Sequence, residues 1–337
     1  MQYNQLGKIA ASEYANTYFG KLYSSVQLKA RIDVPAAIPF YIQPVLTYNR
    51  WDYYNSSELF FEDVKPAYLI QGDQYGELNI GVPAPNNGKF VLGGGYAEIN
   101  DQYYQTDKFT PKDTADRDQF NMYTTYLMYE NNTFNRKLYP NEGHLFQVKA
   151  RYSNGFETNE PGSTAIDRKI TEDHREWLQL KAIYDNYFLY REKVKLGVRF
   201  EGVYSNQTLS YNYASTILAA PAFQPTPESQ TLFLENYRAY NYLTGGIKNI
   251  INFKKNIELR LEGYIFAPYQ SILKGSDQKA YYGGVFDTKH YIVSVAAVYN
   301  TPVGPISFSV NYYDRPVTPI SFLFHFGYTI FNRRALD

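Results

Sequence analysis

Along this chain, apolar and polar residues alternate with a period of two. Val26, Leu28, Ala30 and Ile32 alternate with Gln27, Lys29, Arg31 and Asp33. The same rhythm runs through Phe146-Val148-Ala150-Tyr152, Val194-Leu196-Val198-Phe200, Ile257-Leu259-Leu261 and Ile306-Phe308-Val310-Tyr312. A period of two sends successive side chains to opposite faces of an extended strand, whereas a helix needs a repeat of about 3.6. The pattern predicts an all-β fold. No run of about eighteen apolar residues occurs, which excludes α-helical membrane spans.

A soluble sandwich and a membrane barrel both alternate in this way. Here the polar phase carries several charges per strand, while the apolar phase is aliphatic and ends in Tyr or Phe. With 36 Tyr and 22 Phe, the chain has the aromatics to build girdles at both edges of an apolar band. That arrangement suits an outer face in lipid and a wet, charged lumen. The expectation is a transmembrane antiparallel β-barrel.

Proline- and glycine-rich links at 35–39, 83–88, 139–143 and 301–305 alternate with longer polar segments at 100–119, 154–174 and 270–289. Short turns at one end and long loops at the other are the asymmetry of an outer-membrane barrel. Candidate strands lie near 5–18, 22–33, 39–51, 64–83, 88–98, 119–131, 144–154, 174–186, 192–205, 207–219, 229–238, 243–254, 256–267, 289–300, 304–313 and 320–331. That is about sixteen strands in a single domain, 1–337. No strong helix signature stands out. The first residues do not read as a signal peptide, and the expectation is a mature or truncated part of a larger protein.

Several chemistries are disfavoured. Thirty-three basic residues balance thirty-three acidic ones, so there is no basic field for nucleic acid. There is no cysteine, which excludes disulfides and thiolate chemistry. Ser163 and Ser276 each follow a glycine but lack the second glycine of a nucleophile elbow. Gly93-Gly94-Gly95 sits inside a strand pattern and suits close backbone approach better than phosphate binding. His144, His174, His290 and His325 are dispersed, with no metal-ligand spacing. His290 and Ser294 share a strand face but stand about 13 Å apart on a rise of about 3.3 Å per residue, too far for a dyad. No catalytic, cofactor or metal site is expected.

The charges on the polar phase include Lys195, Arg199, Glu201, Glu258, Arg260 and Glu262, with Lys29, Arg31, Lys149, Arg151 and Lys181. Facing lipid, an unpaired charge costs about 2–4 kcal/mol near the midplane, so this phase must face the lumen. The charges then form either a cross-strand salt-bridge ladder or a selective aqueous pore. Their near-balanced signs favour the ladder.

Two regions resemble a known family. The turn Thr301-Pro302-Val303-Gly304-Pro305 with the strand Ile306–Val310, and the segment Phe322–Phe331, are similar to the last turn and strands of BamA-like surface-antigen barrels, the outer-membrane assembly-factor superfamily. The segment 132–143 resembles the family's central Pro-x-x-Gly turn. Arg238-Ala239-Tyr240 resembles its hallmark lumen-loop motif of Arg-Gly followed by an aromatic, with alanine in place of glycine. Residues 220–227, 237–240 and 331–337 look like the barrel that follows a patatin-like phospholipase domain in proteins of the Bacteroidota type. The resemblance implies that Phe322, Phe324, Phe326, Gly327, Tyr328 and Phe331 belong to a closing strand read by the assembly machinery. Independently of the resemblance, Phe322, Phe324, Phe326, Tyr328 and Ile330 form one large apolar phase that should face lipid, the strand should pair with the first one to remove the open edge, and Arg333 and Arg334 should form an exposed tail.

The resulting expectation is an outer-membrane barrel that anchors, and passes or displays, a patatin-like phospholipase domain absent from this chain. A stand-alone assembly or translocation barrel of the BamA or TamA type and a passive porin-like channel are the alternatives. A barrel-wall lipid hydrolase is a further reading from a different class. Expected partners are outer-membrane lipid and lipopolysaccharide, the assembly machinery during insertion and a second copy of the chain; nucleic acid is not among them.

Overall fold

The computed structural model describes residues 2–5 (backbone), 10–54, 67–106, 108–254, 256–316, 318–327 and 331–337. The strands are β1 (Gln2–Gln5), β2 (Ala10–Phe19), β3 (Tyr23–Val34), β4 (Phe40–Tyr53), β5 (Leu69–Ala84), β6 (Gly88–Tyr103), β7 (Asp116–Asn132), β8 (His144–Glu160), β9 (Thr171–Tyr190), β10 (Val194–Ser205), β11 (Tyr242–Lys254), β12 (Ile257–Pro268), β13 (Gln270–Lys274), β14 (Ala280–Val285), β15 (His290–Thr301), β16 (Gly304–Tyr313) and β17 (Ile320–Phe326). Fifteen of them form one antiparallel sheet in which each strand pairs with its neighbour in sequence, apart from β12, whose partner is β15. The β13–β14 hairpin is inserted there. Nearest-neighbour antiparallel pairing needs only tight links, which the proline- and glycine-rich turns supply.

The two faces of this sheet are inverted relative to a water-soluble protein. Leu46, Leu92, Leu127, Leu243, Ile247 and Phe324 are exposed, while Asn49, Asp73, Arg151, Glu201, Arg260 and Asn311 are buried. A continuous apolar outer surface is stable in hydrocarbon and not in water, and the buried polar face needs an enclosed, hydrogen-bonded interior. The alternation read from the sequence is therefore that of a transmembrane barrel, with the apolar phase outward.

Seventeen strands are described, fifteen in the main sheet and two in the hairpin, but not all the expected ones are among them. Segments 207–219 and 229–238 do not join the sheet. They belong to one inserted segment, 206–241, holding helix α1 (Tyr213–Ala219) and 3-10 turns at Glu228–Thr231 and Glu235–Tyr237. Asn212 caps α1: its side chain accepts from the Ser215 N–H, and the Ser215 hydroxyl returns the contact. Between the two expected strands, Pro221, Pro225 and Pro227 lack the N–H that a sheet ladder would need. Conversely, 270–289 contains a hairpin rather than a plain loop. Strands β6 to β9 run several residues beyond their expected ends, which shortens the loops between them.

The end of the chain also differs from expectation. Strand β17 stops at Phe326, and Gly327 turns with φ +85°, a conformation open to glycine at little cost. Tyr328 and Ile330 lie outside the described residues. Phe331 is no part of the strand: its ring packs 5.2 Å from that of Tyr23 on β3. The chain leaving the last strand thus meets the start of the sheet, which curls around a lumen. Strands β1 and β17 are the two ends of the hydrogen-bonded order, and among the described residues no ladder joins them. The expected pairing of last strand with first is not formed there.

Candidate functional site

Among the described residues, chemistry-bearing side chains converge in the lumen. On β9 to β12 they form a ladder. Arg199 stands directly across from Asp185 and contacts it at 3.4 Å, and reaches Glu201 at 2.7 Å. Lys181 holds the other Glu201 oxygen at 3.1 Å, and Lys248 holds Asp185 at 2.6 Å. Arg260 lies between Glu258 (3.1 Å) and Glu262 (2.9 Å) and donates to the Tyr187 hydroxyl. Tyr242 and Tyr264 donate to Glu201 and Glu262. Buried charges persist when each is paired with an opposite one, and every charge named here has such a partner. Asp185 and Lys248, outside the expected set of lumen charges, complete the ladder. Asp185 shares the polar phase of Lys181, so the signal was present. Lys195 stands apart, paired with Glu142 at 2.6 Å.

The ladder is covered from the short-turn end by the β7–β8 loop, 133–143. Gly143 has φ +89°, and a Cβ there would meet the Thr133 carbonyl oxygen at 2.2 Å, so the turn requires glycine. Within the loop, Asn141 donates to Glu258 and Arg136 pairs with it at 3.4 Å. Tyr139 points inward to Glu228 (2.6 Å) and Ser307 (3.0 Å). Burial and the neighbouring Glu228 carboxylate push its hydroxyl well above the usual range, so it donates at neutral pH.

The insertion 206–241 crosses the lumen. Leu218 packs with Leu69 and Tyr103 on β5 and β6, while Phe223 and Tyr237 pack with Phe266, Ile292 and Tyr313 on β12, β15 and β16. Arg238 is buried at its centre. Its guanidinium donates to the carbonyls of Ile217, Leu218 and Ala220, which the end of α1 leaves unpaired, and stacks 4.7 Å from the Phe233 ring. Burial and the nearby Arg334 charge pull it down to about 10, so it stays charged at neutral pH. Ala239 and Tyr240 are also buried, and Ala239 is not among the residues with positive φ, so alanine fits without strain.

Two further placements complete the sequence-derived set. Phe322, Phe324 and Phe326 lie on the exposed face of β17. Residues 331–337 enter the lumen: the Arg334 side chain is 12% exposed and approaches Asp73 and Asp101, which corrects the expectation of an exposed arginine. Arg333 is exposed, as expected. Nothing in the local sequence marks the segment, because its partners lie on β3 to β8.

A curled antiparallel sheet with an apolar outside, a charged inside and a lumen filled by its own chain defines an outer-membrane β-barrel. No protein-family profile matches the sequence, and no curated protein does either. Among solved structures the chain is similar to BamA from Haemophilus ducreyi lacking POTRA domains 1–3, with a TM-score of 0.56 and 14% identity over 96% of this chain and 67% of that one. It also matches CdiB from Acinetobacter baumannii (TM-score 0.48, 9% identity, 90% of this chain and 50% of that one). A third match is BauA, the ferric preacinetobactin receptor of Acinetobacter baumannii (TM-score 0.44, 9% identity, 96% and 54%). The BamA likeness is one of fold, and it agrees with the inverted surface in placing the chain in an outer membrane.

Proposed function

We propose that this chain is the membrane domain of an outer-membrane protein that handles polypeptide, by assembly, translocation or anchoring, rather than a passive solute channel. One observation carries this reading: insertion 206–241 spans the lumen from β5 and β6 to β12, β15 and β16, with Arg238, Ala239 and Tyr240 buried in it. A diffusion channel needs an open bore, and this one is filled. The BamA-like fold supports the same reading.

The finer reading rests on the resemblance of 220–227, 237–240 and 331–337 to patatin-linked barrels. On it, residues 1–337 form one barrel domain that anchors, and passes or displays, a patatin-like phospholipase encoded elsewhere in the same protein. The barrel itself catalyses nothing. Its surroundings are lipid and lipopolysaccharide, the assembly machinery acts on it during insertion, and a second copy can pair with it. The alternative is a stand-alone assembly or translocation barrel, which the BamA-like fold suits equally. The coding sequence upstream of Met1 separates the two: patatin motifs support the anchor, and POTRA repeats alone overturn it in favour of the stand-alone barrel.

Liposome swelling tests the shared part. Vesicles carrying the folded chain should swell in small sugars no faster than empty ones. Porin-like swelling would overturn the reading in favour of a passive channel.

A further inference from the structure

Residues 331–337 cross the inner wall instead of running along it. The Asn332 side chain donates to Ser25 at 2.6 Å, and the Arg333 carbonyl accepts from Asn49 and Tyr75. The Ala335 N–H donates to Asp73 at 3.0 Å. Arg151 donates to the carbonyls of Ala335 and Asp337, and Lys149 reaches that of Asp337 at 2.7 Å. Arg334 lies at the centre, between Asp73 (3.7 Å), Asp101 (3.8 Å) and the Leu218 carbonyl of α1 (3.3 Å).

The two halves of the lumen are therefore satisfied differently. On β9 to β12 the charges pair with one another. On β5 to β8, the ion pairs of Asp73 and Asp101 among the described residues are with Arg334, while Lys149 and Arg151 donate to the segment's backbone. Water can replace such polar contacts at modest cost per bond, so docking of this kind is reversible. Apolar anchoring comes from Phe331, whose ring packs on Tyr23, and from Ala335 and Leu336, which join the cluster around Phe120 and Trp177.

Two cavities flank the segment. One of about 140 Å³ lies between the segment, Arg238 and the end of α1. The other, of about 320 Å³, lies against the charge ladder and Tyr139. Gln224, Gln230 and Phe331 line both and stand between them.

We infer that residues 331–337 are a latch on the insertion. Docked, they tie α1 to the β3–β8 wall and divide the lumen. Undocked, they release the insertion and join the two cavities into one aqueous path. The inference rests on the filled-lumen reading above and adds the element whose movement opens it.

The absence of cysteine allows a clean test. The full chain carrying Ser25→Cys and Asn332→Cys, whose native side chains touch, is placed in planar bilayers and its ion conductance followed as the disulfide is made and reduced. The reduced protein should open intermittently, and oxidation should abolish the openings. Arg334→Ala, shown to be folded by its heat-modifiable migration, should raise the open probability about tenfold, the equivalent of about 1.4 kcal/mol. A barrel closed in both redox states, or a folded Arg334→Ala protein conducting like the unaltered one, overturns the latch alone. A barrel that passes sugars even when oxidised overturns the filled-lumen reading and the latch with it.

Discussion

Tyr139 and Glu228, 89 positions apart, meet inside the barrel with hydroxyl and carboxylate 2.6 Å from each other. The contact joins the β7–β8 loop, which enters from the short-turn end, to the insertion that enters from the other. Tyr139 adopts φ +51°, a conformation that a non-glycine residue holds only when its surroundings impose it. Removing the hydroxyl keeps the ring and deprives a buried carboxylate of a donor. Tyr139→Phe should therefore destabilise the folded barrel by about 1–3 kcal/mol, read as a lower temperature for loss of the fast-migrating form on gels. An unchanged transition would mean that the two elements are not coupled through this bond.

The ladder makes a sharper prediction. Arg260→Met leaves Glu258 and Glu262 buried without their shared cation, a loss of about 3–5 kcal/mol. Arg31 pairs with Asp33 at the surface, both side chains 44% exposed. Arg31→Ala should therefore cost no more than about 1 kcal/mol. Denaturant midpoints of the two variants in one detergent make the comparison, and equal shifts would contradict the ladder's role.

Phe326 lies on the outward face of β17 at 63% exposure. An aspartate there must enter hydrocarbon, at a cost below the roughly 2–4 kcal/mol of a midplane arginine or lysine. Phe326→Asp should lower the amount of folded barrel in outer-membrane fractions. Normal levels with unchanged heat-modifiability would refute a lipid-facing role for this side chain.

Ser294 is buried, and its hydroxyl donates to the Asn311 side-chain oxygen at 2.7 Å, a structural bond rather than one to an imidazole base. The purified chain should not hydrolyse phospholipids or simple esters. Turnover that disappears in Ser294→Ala would reveal a site that this geometry does not suggest.

The wall was legible in the sequence because side-chain alternation is a local property of extended backbone. The phase of Val194–Glu201 and Ile257–Glu262 read directly as one face in lipid and one in the lumen, and the charges there pair as their balanced signs suggest. The insertion was not legible. Helix α1 has seven residues, too few for a 3.6-residue pattern to stand out, and its cap carries Ser215 where Glu or Gln is the usual cue. The tyrosines and threonines around it have strand propensity, which burial against the lumen wall overrides.

The sequence by itself determined which face of each strand meets lipid, since a one-residue slip would place charges in hydrocarbon and no tertiary context could offset that on every strand. Only the tertiary structure decided what fills the lumen. The partners that hold Tyr139, Arg238 and the 331–337 segment come from remote strands and loops; Ala335 bonds to Asp73 across 262 positions. No local pattern encodes such contacts, because they exist only once the sheet has curled and set opposite walls within reach of one another.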